Sequence, residues 1–280
     1  ADLLIQLGIR YDSEEALVMK ATETINNEAG WSRQPGHLRL LRDGGVVHQA
    51  EVRGIQSNEF ADERQHEHSD VSPVYDPVAN RSYLLSTFHG AIYGMNHDDG
   101  ELRRIVNFAG GDFYLSYQNR PVIDATGRLY LVNDKRWAGA DLFAFDTEYL
   151  WNNPQDAELS LTDWTSSHPG VSWTARTPRE NASAAQSWGT PVLAKGNRLY
   201  TGLGGFAAVD TITGDVLWEL GIGVTATAPI LLSDGTIVAR SGVTGRIYFI
   251  KDLTSDEVAP LEAGWPQAFH DNYHSNNASH

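Results

Sequence analysis

The chain has 280 residues, 20% charged and 41% hydrophobic, an ordinary globular composition with enough apolar mass to bury a sizeable core. Its formal charge of -15 leaves no Lys/Arg excess to displace the counterions of a phosphate backbone, so no nucleic-acid partner is expected. With no cysteine there is no disulfide, thiolate metal site or cysteine nucleophile, and no run approaches the roughly 18 apolar residues of a membrane span, so no membrane insertion is expected.

Residues 1–35 read as a helical segment. In "YDSEEALVMKATETINNEAGW", Asp12 or Ser13 suits an N-cap and Glu14 and Glu15 suit the first turn. Leu17, Ala21 and Ile25 then recur at helical spacing, which predicts a helix over about 13–28. Beyond residue 36 the pattern turns to strands, and "HLRLLRDGGVVHQAEV" predicts a hairpin around Asp43-Gly44-Gly45.

A unit then recurs, opening with Pro73-Val74, Pro121-Val122, Pro191-Val192 and Pro229-Ile230, prolines that lie 48, 70 and 38 residues apart. Each opening is followed by a turn and an alternating strand holding Tyr83, Tyr130, Tyr200 or Val238. A further strand ends at Asn96, Asp146, Asp210 or Asp252. The third copy closes in "AAVDTITGDVLW", where Asp210, Thr213 and Gly214 shape a turn and Trp218 is placed to pack between neighbouring units. By the same count the place of Trp218 falls on Arg104 in the first copy and two or three residues beyond Trp151 in the second. Four-strand units at a period near forty are the signature of a propeller blade, so the expected fold is an all-β β-propeller of four-stranded blades with a short N-terminal helical segment. About five blades are legible, near 36–70, 71–118, 119–187, 188–225 and 226–262, with a tail at 263–280.

The units resemble the pyrroloquinoline-quinone-like propeller repeat, found in quinoprotein dehydrogenases and in an outer-membrane assembly scaffold lipoprotein. The likeness rests on Ala208, Asp210, Thr213, Gly214 and Trp218, and it spans about residues 71–255. Trp265, Pro266, Phe269, Asp271, His274 and Ala278 are similar to a segment that flanks such repeats, which implies a ring-closing strand. The resemblance also implies a place outside the cytoplasm, periplasmic or secreted. Quinone-dependent dehydrogenation goes with a vicinal cysteine pair in that family, and this chain has no cysteine. No cofactor is therefore predicted, with calcium or zinc left open.

His66 and His68, two apart in "RQHEHSD", would share one face of a strand and with Glu67 or Asp70 could hold zinc or move a proton. The plainer reading is a polar linker. His270 and His274 at i, i+4 would suit a metal on a helix, or simply a closing strand. His89, Tyr114 and Arg120 complete a weak catalytic set at the propeller mouth. Between Asp146 and Trp188 an insertion gathers Trp151, Trp164 and Trp173 with Arg176 and Arg179, a set that could stack on sugars or anchor a peptide. Alternatively two of these rings only pack blades. The expected function is a non-catalytic scaffold binding a protein or polysaccharide. The alternatives are a polysaccharide lyase or hydrolase, and a subunit or fragment of a larger assembly.

Overall fold

The computed structural model describes residues 7–11, 15–20, 36–42, 45–52, 74–86, 91–107, 120–134, 140–159, 163–176, 190–203, 205–222 and 228–261. Among them are five antiparallel sheets, each built from strands consecutive in sequence. The first holds β1 (Leu7–Tyr11), β2 (Glu15–Lys20), β3 (Gly36–Arg42) and β4 (Gly45–Val52). The second holds β5 (Val74–Asp76), β6 (Arg81–Ser86), β7 (Ala91–Asn96) and β8 (Leu102–Asn107). The third holds β9 (Val122–Ile123), β10 (Arg128–Asp134), β11 (Ala140–Asp146) and β12 (Val171–Arg176). The fourth holds β13 (Val192–Ala194), β14 (Arg198–Gly202), β15 (Phe206–Asp210) and β16 (Val216–Leu220). The fifth has three strands, β17 (Ile230–Leu231), β18 (Thr236–Arg240) and β19 (Ile247–Lys251).

The expected N-terminal helix is corrected. Residues 15–20 form β2, paired on one side with β1 and on the other with β3, so Leu17 lies between Ile9 and Leu40. Every residue of "EALVMK" is an acceptable helix former, but local propensity is a weak prior and the ladder with "GHLRLLR" overrides it. Residues 7–11 and 15–20 therefore belong to the first blade-like sheet, and residues 21–28 of the expected helix lie outside the described residues. The strands of the hairpin predicted around Asp43-Gly44-Gly45 pair as β3 and β4, from Arg42–Gly45 to Gly36–Val52 with a bulge between Leu40 and Leu41, while Asp43 and Gly44 lie outside the described residues.

Sheets two to five stack face against face. Leu129, Leu131, Phe143 and Phe145 of the third sheet pack on Tyr83, Ile92, Met95 and Val106 of the second. Tyr130, Val132, Leu142 and Ala144, on the other face of the third sheet, pack on Leu193, Leu199, Ala207 and Val209 of the fourth. Val192, Tyr200, Phe206 and Ala208 then pack on Leu231, Ile237 and Ala239 of the fifth. The alternation of each strand thus feeds two cores, one per face, which is why these strands read as nearly continuous apolar runs. The fold is all-β, a β-propeller arrangement of blade-like sheets. Its one α-helix among the described residues is α1 (Thr147–Asn152), followed by a 3-10 turn at Pro154–Glu158. No helix among the described residues is long and apolar enough to cross a membrane.

The ladders place the repeat more finely than counting does. Gly94, Ala144 and Ala208 are equivalent, and their partners are Arg103, Trp173 and Trp218. The second sheet thus carries Arg103 at the tryptophan position, not Arg104, because its bulge falls two pairs further along. In the third sheet the position belongs to Trp173 and not to Trp151, since the insertion delays the fourth strand. In the fifth sheet Lys251, not Asp252, pairs at the place of Asp210. Asp252 falls where Thr147 and Thr211 stand.

Candidate functional site

Strand order gives each four-stranded sheet two ends. The turns from first to second and from third to fourth strand lie at one end, and the connections between sheets leave from the other.

At the turn end a junction recurs. Arg81 Nη1 donates to Glu148 Oε2 at 2.6 Å, Arg128 Nη1 to the Thr211 carbonyl at 2.8 Å, and Arg198 Nη2 to the Thr254 carbonyl at 3.1 Å. Each guanidinium starts a second strand and ends on the third-strand turn of the following sheet. Two residues on, the tyrosine hydroxyls find acids: Tyr130 donates to Asp124 Oδ2 at 2.8 Å and Tyr200 to Asp252 Oδ2 at 3.0 Å. Burial, and after it the neighbouring carboxylate, pushes both phenols far above their ordinary range. Burial pushes Asp252 up as well, but donors from Thr254, Trp218 and Tyr200 outweigh it and hold the acid below its usual value. This end is a set of structural locks between sheets.

The turn of the fourth sheet has the expected construction. Asp210 Oδ1 accepts the N–H groups of Ile212 and Thr213 at 2.8 and 3.0 Å, and Thr213 Oγ1 donates to Asp215 at 2.8 Å. Gly214 has φ 81°, and a Cβ there would lie 2.7 Å from the Trp173 ring of the preceding sheet. Trp173 Nε1 donates to the Thr211 carbonyl of the same turn at 2.9 Å. Trp218 packs near Tyr200 and Phe206, with ring centroids 5.9 and 6.0 Å away.

The aromatic insertion does not form an exposed platform. Trp151, Trp164 and Trp173 are 4%, 1% and 5% exposed. Trp151, on α1, lies against Gly94 and Tyr83, and the guanidinium carbons of Arg81 and Arg103 stand 4.4 and 4.6 Å from its ring centroid. It fills the space by Tyr83 that Trp173 fills by Tyr130 and Trp218 by Tyr200. Trp164 donates its indole N–H to the Asn107 carbonyl at 2.8 Å and meets Phe145 edge-on. The expectation of a shared sugar- or peptide-binding face at these rings is therefore corrected. With Arg103 at the tryptophan position of the second sheet, the insertion supplies the missing ring. Arg176 ends β12, and Arg179 and Trp188 lie outside the described residues.

His66, His68, His89, Tyr114, His270 and His274 also lie outside the described residues. Arg120 is described, and its backbone N–H donates to Thr190 Oγ1 at 3.0 Å, tying the third sheet to the fourth. Among the described residues no group of three His, Asp or Glu side chains could hold a metal. Two histidines the sequence reading passed over are packed. His97 stacks on Tyr75 with its Nε2 2.9 Å from Ser82 Oγ, and His168 accepts the Gly170 N–H on Nδ1 while Nε2 faces Asp156 at 3.4 Å.

Among the described residues an open apolar face lies on the fifth sheet. Its second strand begins Thr236-Ile237-Val238 where the three preceding sheets have Arg-x-Tyr, so the inter-sheet lock stops here. Ile237 and Ala239 face the fourth sheet. On the opposite, forward face the ladder aligns Ile230, Val238 and Phe249, with Ile247 opposite Arg240. Ile230, Ile247 and Phe249 are 42%, 61% and 74% exposed. The corresponding residues of the fourth sheet, Val192, Tyr200 and Ala208, are buried under the fifth. The signal was present in "TIVAR" and "RIYFIK", which replace the Arg-x-Tyr pattern and put Phe249 where the other sheets carry Gly94, Ala144 or Ala208.

No family model matches the chain, and no curated protein sequence matches it. Among solved structures it is similar to BamB from Moraxella catarrhalis, with a TM-score of 0.41 at 11% identity over 83% of this chain and 64% of that one. It is similar too to selenomethionine-substituted virginiamycin B lyase from Staphylococcus aureus, with a TM-score of 0.39 at 12% identity over 66% of this chain and 57% of that one. Luciferin-regenerating enzyme gives a TM-score of 0.43 at 10% identity, over 94% of this chain and 81% of that one. The chain spans less than two thirds of the length of the first two. Likenesses of this order assign it no activity.

Proposed function

We propose that this chain is a non-catalytic propeller scaffold of the pyrroloquinoline-quinone-like repeat type, and that it binds a protein partner outside the cytoplasm. One observation carries the reading: the forward face of the fifth sheet, an apolar stripe of Ile230, Val238, Phe249 and Ile247 at the position that is a buried interface in the preceding sheet. Contiguous exposed apolar surface of this kind marks a protein contact. A polysaccharide partner loses its support with the burial of Trp151, Trp164 and Trp173. The repeat in Thr190–Trp218 and the absence of cysteine support the type and the location.

The test is quantitative capture from extracts of the cells that make the protein, with wild type beside Phe249→Glu and Ile247→Glu. The expected result is a stoichiometric partner that both variants lose while their melting temperatures stay unchanged. Equal capture by all three would overturn the reading. So would turnover of a polysaccharide that a His66→Ala, His68→Ala double variant abolishes, which would make the chain an enzyme.

A further inference from the structure

The fifth sheet stops one strand short of the preceding three among the described residues. After β19 the chain turns back, and Pro260 bridges Ala194 in the fourth sheet. Among the described residues nothing pairs with the outer edge of β19. The hydrogen-bond alternation at that edge is fixed by the turn before it, where Ser241 N–H donates to the Arg246 carbonyl at 2.9 Å. In an antiparallel ladder, pairs that exchange bonds alternate with pairs that do not. Tyr248 and Ile250 therefore bond inward to β18, while the N–H and C=O groups of Ile247, Phe249 and Lys251 point to the open edge. Those same three residues put their side chains on the forward face, opposite Arg240, Val238 and Thr236.

Charge narrows the occupant. Arg240 and Lys251 lie on the forward face at the two ends of the stripe and are exposed, and no carboxylate lies on the face that the ladder defines. Asp234 engages Lys251 at 3.2 Å, which leaves Arg240 for a partner. The patch is cationic in a chain whose formal charge is -15. A second copy meeting it across a two-fold axis would set arginine against arginine, an arrangement that like-charge repulsion disfavours.

We propose that the open edge of β19 accepts an extended strand of a partner protein, apolar at alternate positions and flanked by carboxylates, as the fourth strand of the sheet. Main-chain bonds to Ile247, Phe249 and Lys251 would give affinity, and alternate side chains on the Ile230–Val238–Phe249 stripe would give specificity. This rests on the scaffold reading above and names its mode of contact.

The test uses the full chain and a labelled synthetic peptide that alternates valine with threonine between glutamate ends, read by fluorescence anisotropy. Saturable binding is expected, weakened about tenfold or more when lysines replace the glutamates, as like-charge repulsion requires. It should be lost when alternate amides of one set are N-methylated, kept when the other set is, and lost in Phe249→Glu at an unchanged melting temperature. No saturable binding, equal binding of acidic and basic peptides, or indifference to both N-methyl patterns would overturn the proposal. A dimer by light scattering that Phe249→Glu dissolves would also overturn it, since the occupant would be a second copy. If the peptide fails while capture in extracts still depends on Phe249, strand addition falls and the scaffold reading stands. If capture is indifferent to Phe249, the scaffold reading falls first.

Discussion

Trp173 shows how one side chain can hold two sheets. Its indole N–H is spent on the Thr211 carbonyl, and its ring occupies the space that a Cβ at Gly214 would need. Gly214→Ala combines a left-handed backbone, costing about 1–2 kcal/mol for an L-residue, with a steric clash, so urea unfolding should show a loss of about 2 kcal/mol or more. Trp173→Phe keeps most of the packing and leaves the Thr211 carbonyl to Arg128 alone, so the expected loss is that of one hydrogen bond, about 1 kcal/mol in the same measurement. Two carboxylates should respond to pH in opposite directions. The Thr236 N–H and hydroxyl, and then Lys251, hold Asp234 down at about 2. Its contribution to stability is complete above about pH 4, the ordinary carboxylate value, and is lost as pH falls to about 2. The gap in melting temperature between wild type and Asp234→Asn should close over that window. Asp76 is buried, and burial raises its pKa despite the N–H groups of Val78 and Ala79 that it accepts. The folded chain binds that proton more tightly than the unfolded one, so this group favours folding most at low pH and less as pH rises through its folded value. Asp76→Asn keeps the acceptor oxygen, and at neutral pH it should melt at or above wild type, with the gain disappearing in acid.

At the scale of elements, the strands were legible where the repeat is strong. Pro121-Val122, Arg128-x-Tyr130 and the Asp146 strand end became β9, β10 and β11, and "TPVLAKGNRLY" with "AAVDTITGDVLW" became the fourth sheet nearly residue for residue. The N-terminal helix was misread because Leu17, Ala21 and Ile25 fit a helical period, and only the distant "GHLRLLR" partner reveals the period of two. A bulge hid the place of Arg103, since it moves residues by one place relative to a sequence count, and only the ladder with β18 puts Lys251 rather than the neighbouring acid Asp252 at the strand position. The helix α1 was not read at all, although its signal is conventional. Asp146 caps it by accepting the Tyr149 N–H at 2.9 Å, and Glu148 follows in the first turn. Asp146→Ala should cost about 1 kcal/mol by urea unfolding. Because α1 carries Trp151 into the second sheet's core, that loss should be accompanied by a red shift of tryptophan emission at lower urea.

At the scale of the molecule, sheets two to five form a stack in which each interface is specified twice, by apolar faces and by an arginine reaching to the next sheet. That logic stops at the fifth sheet, where the arginine and the tyrosine give way to Thr236 and Val238 while the apolar face continues. The candidate site was only partly legible for the same reason. Aromatic density marks the insertion, whose rings turn inward, whereas the open stripe is made of ordinary aliphatic residues and one phenylalanine. A sequence shows apolar alternation but does not show which interface is the last. The most direct measurement is residue-resolved amide hydrogen exchange on the isolated chain at β19. An open edge predicts fast exchange at Ile247, Phe249 and Lys251 alternating with protection at Tyr248 and Ile250. Uniform protection along the strand would mean that the edge is already paired within the chain, and would contradict the account.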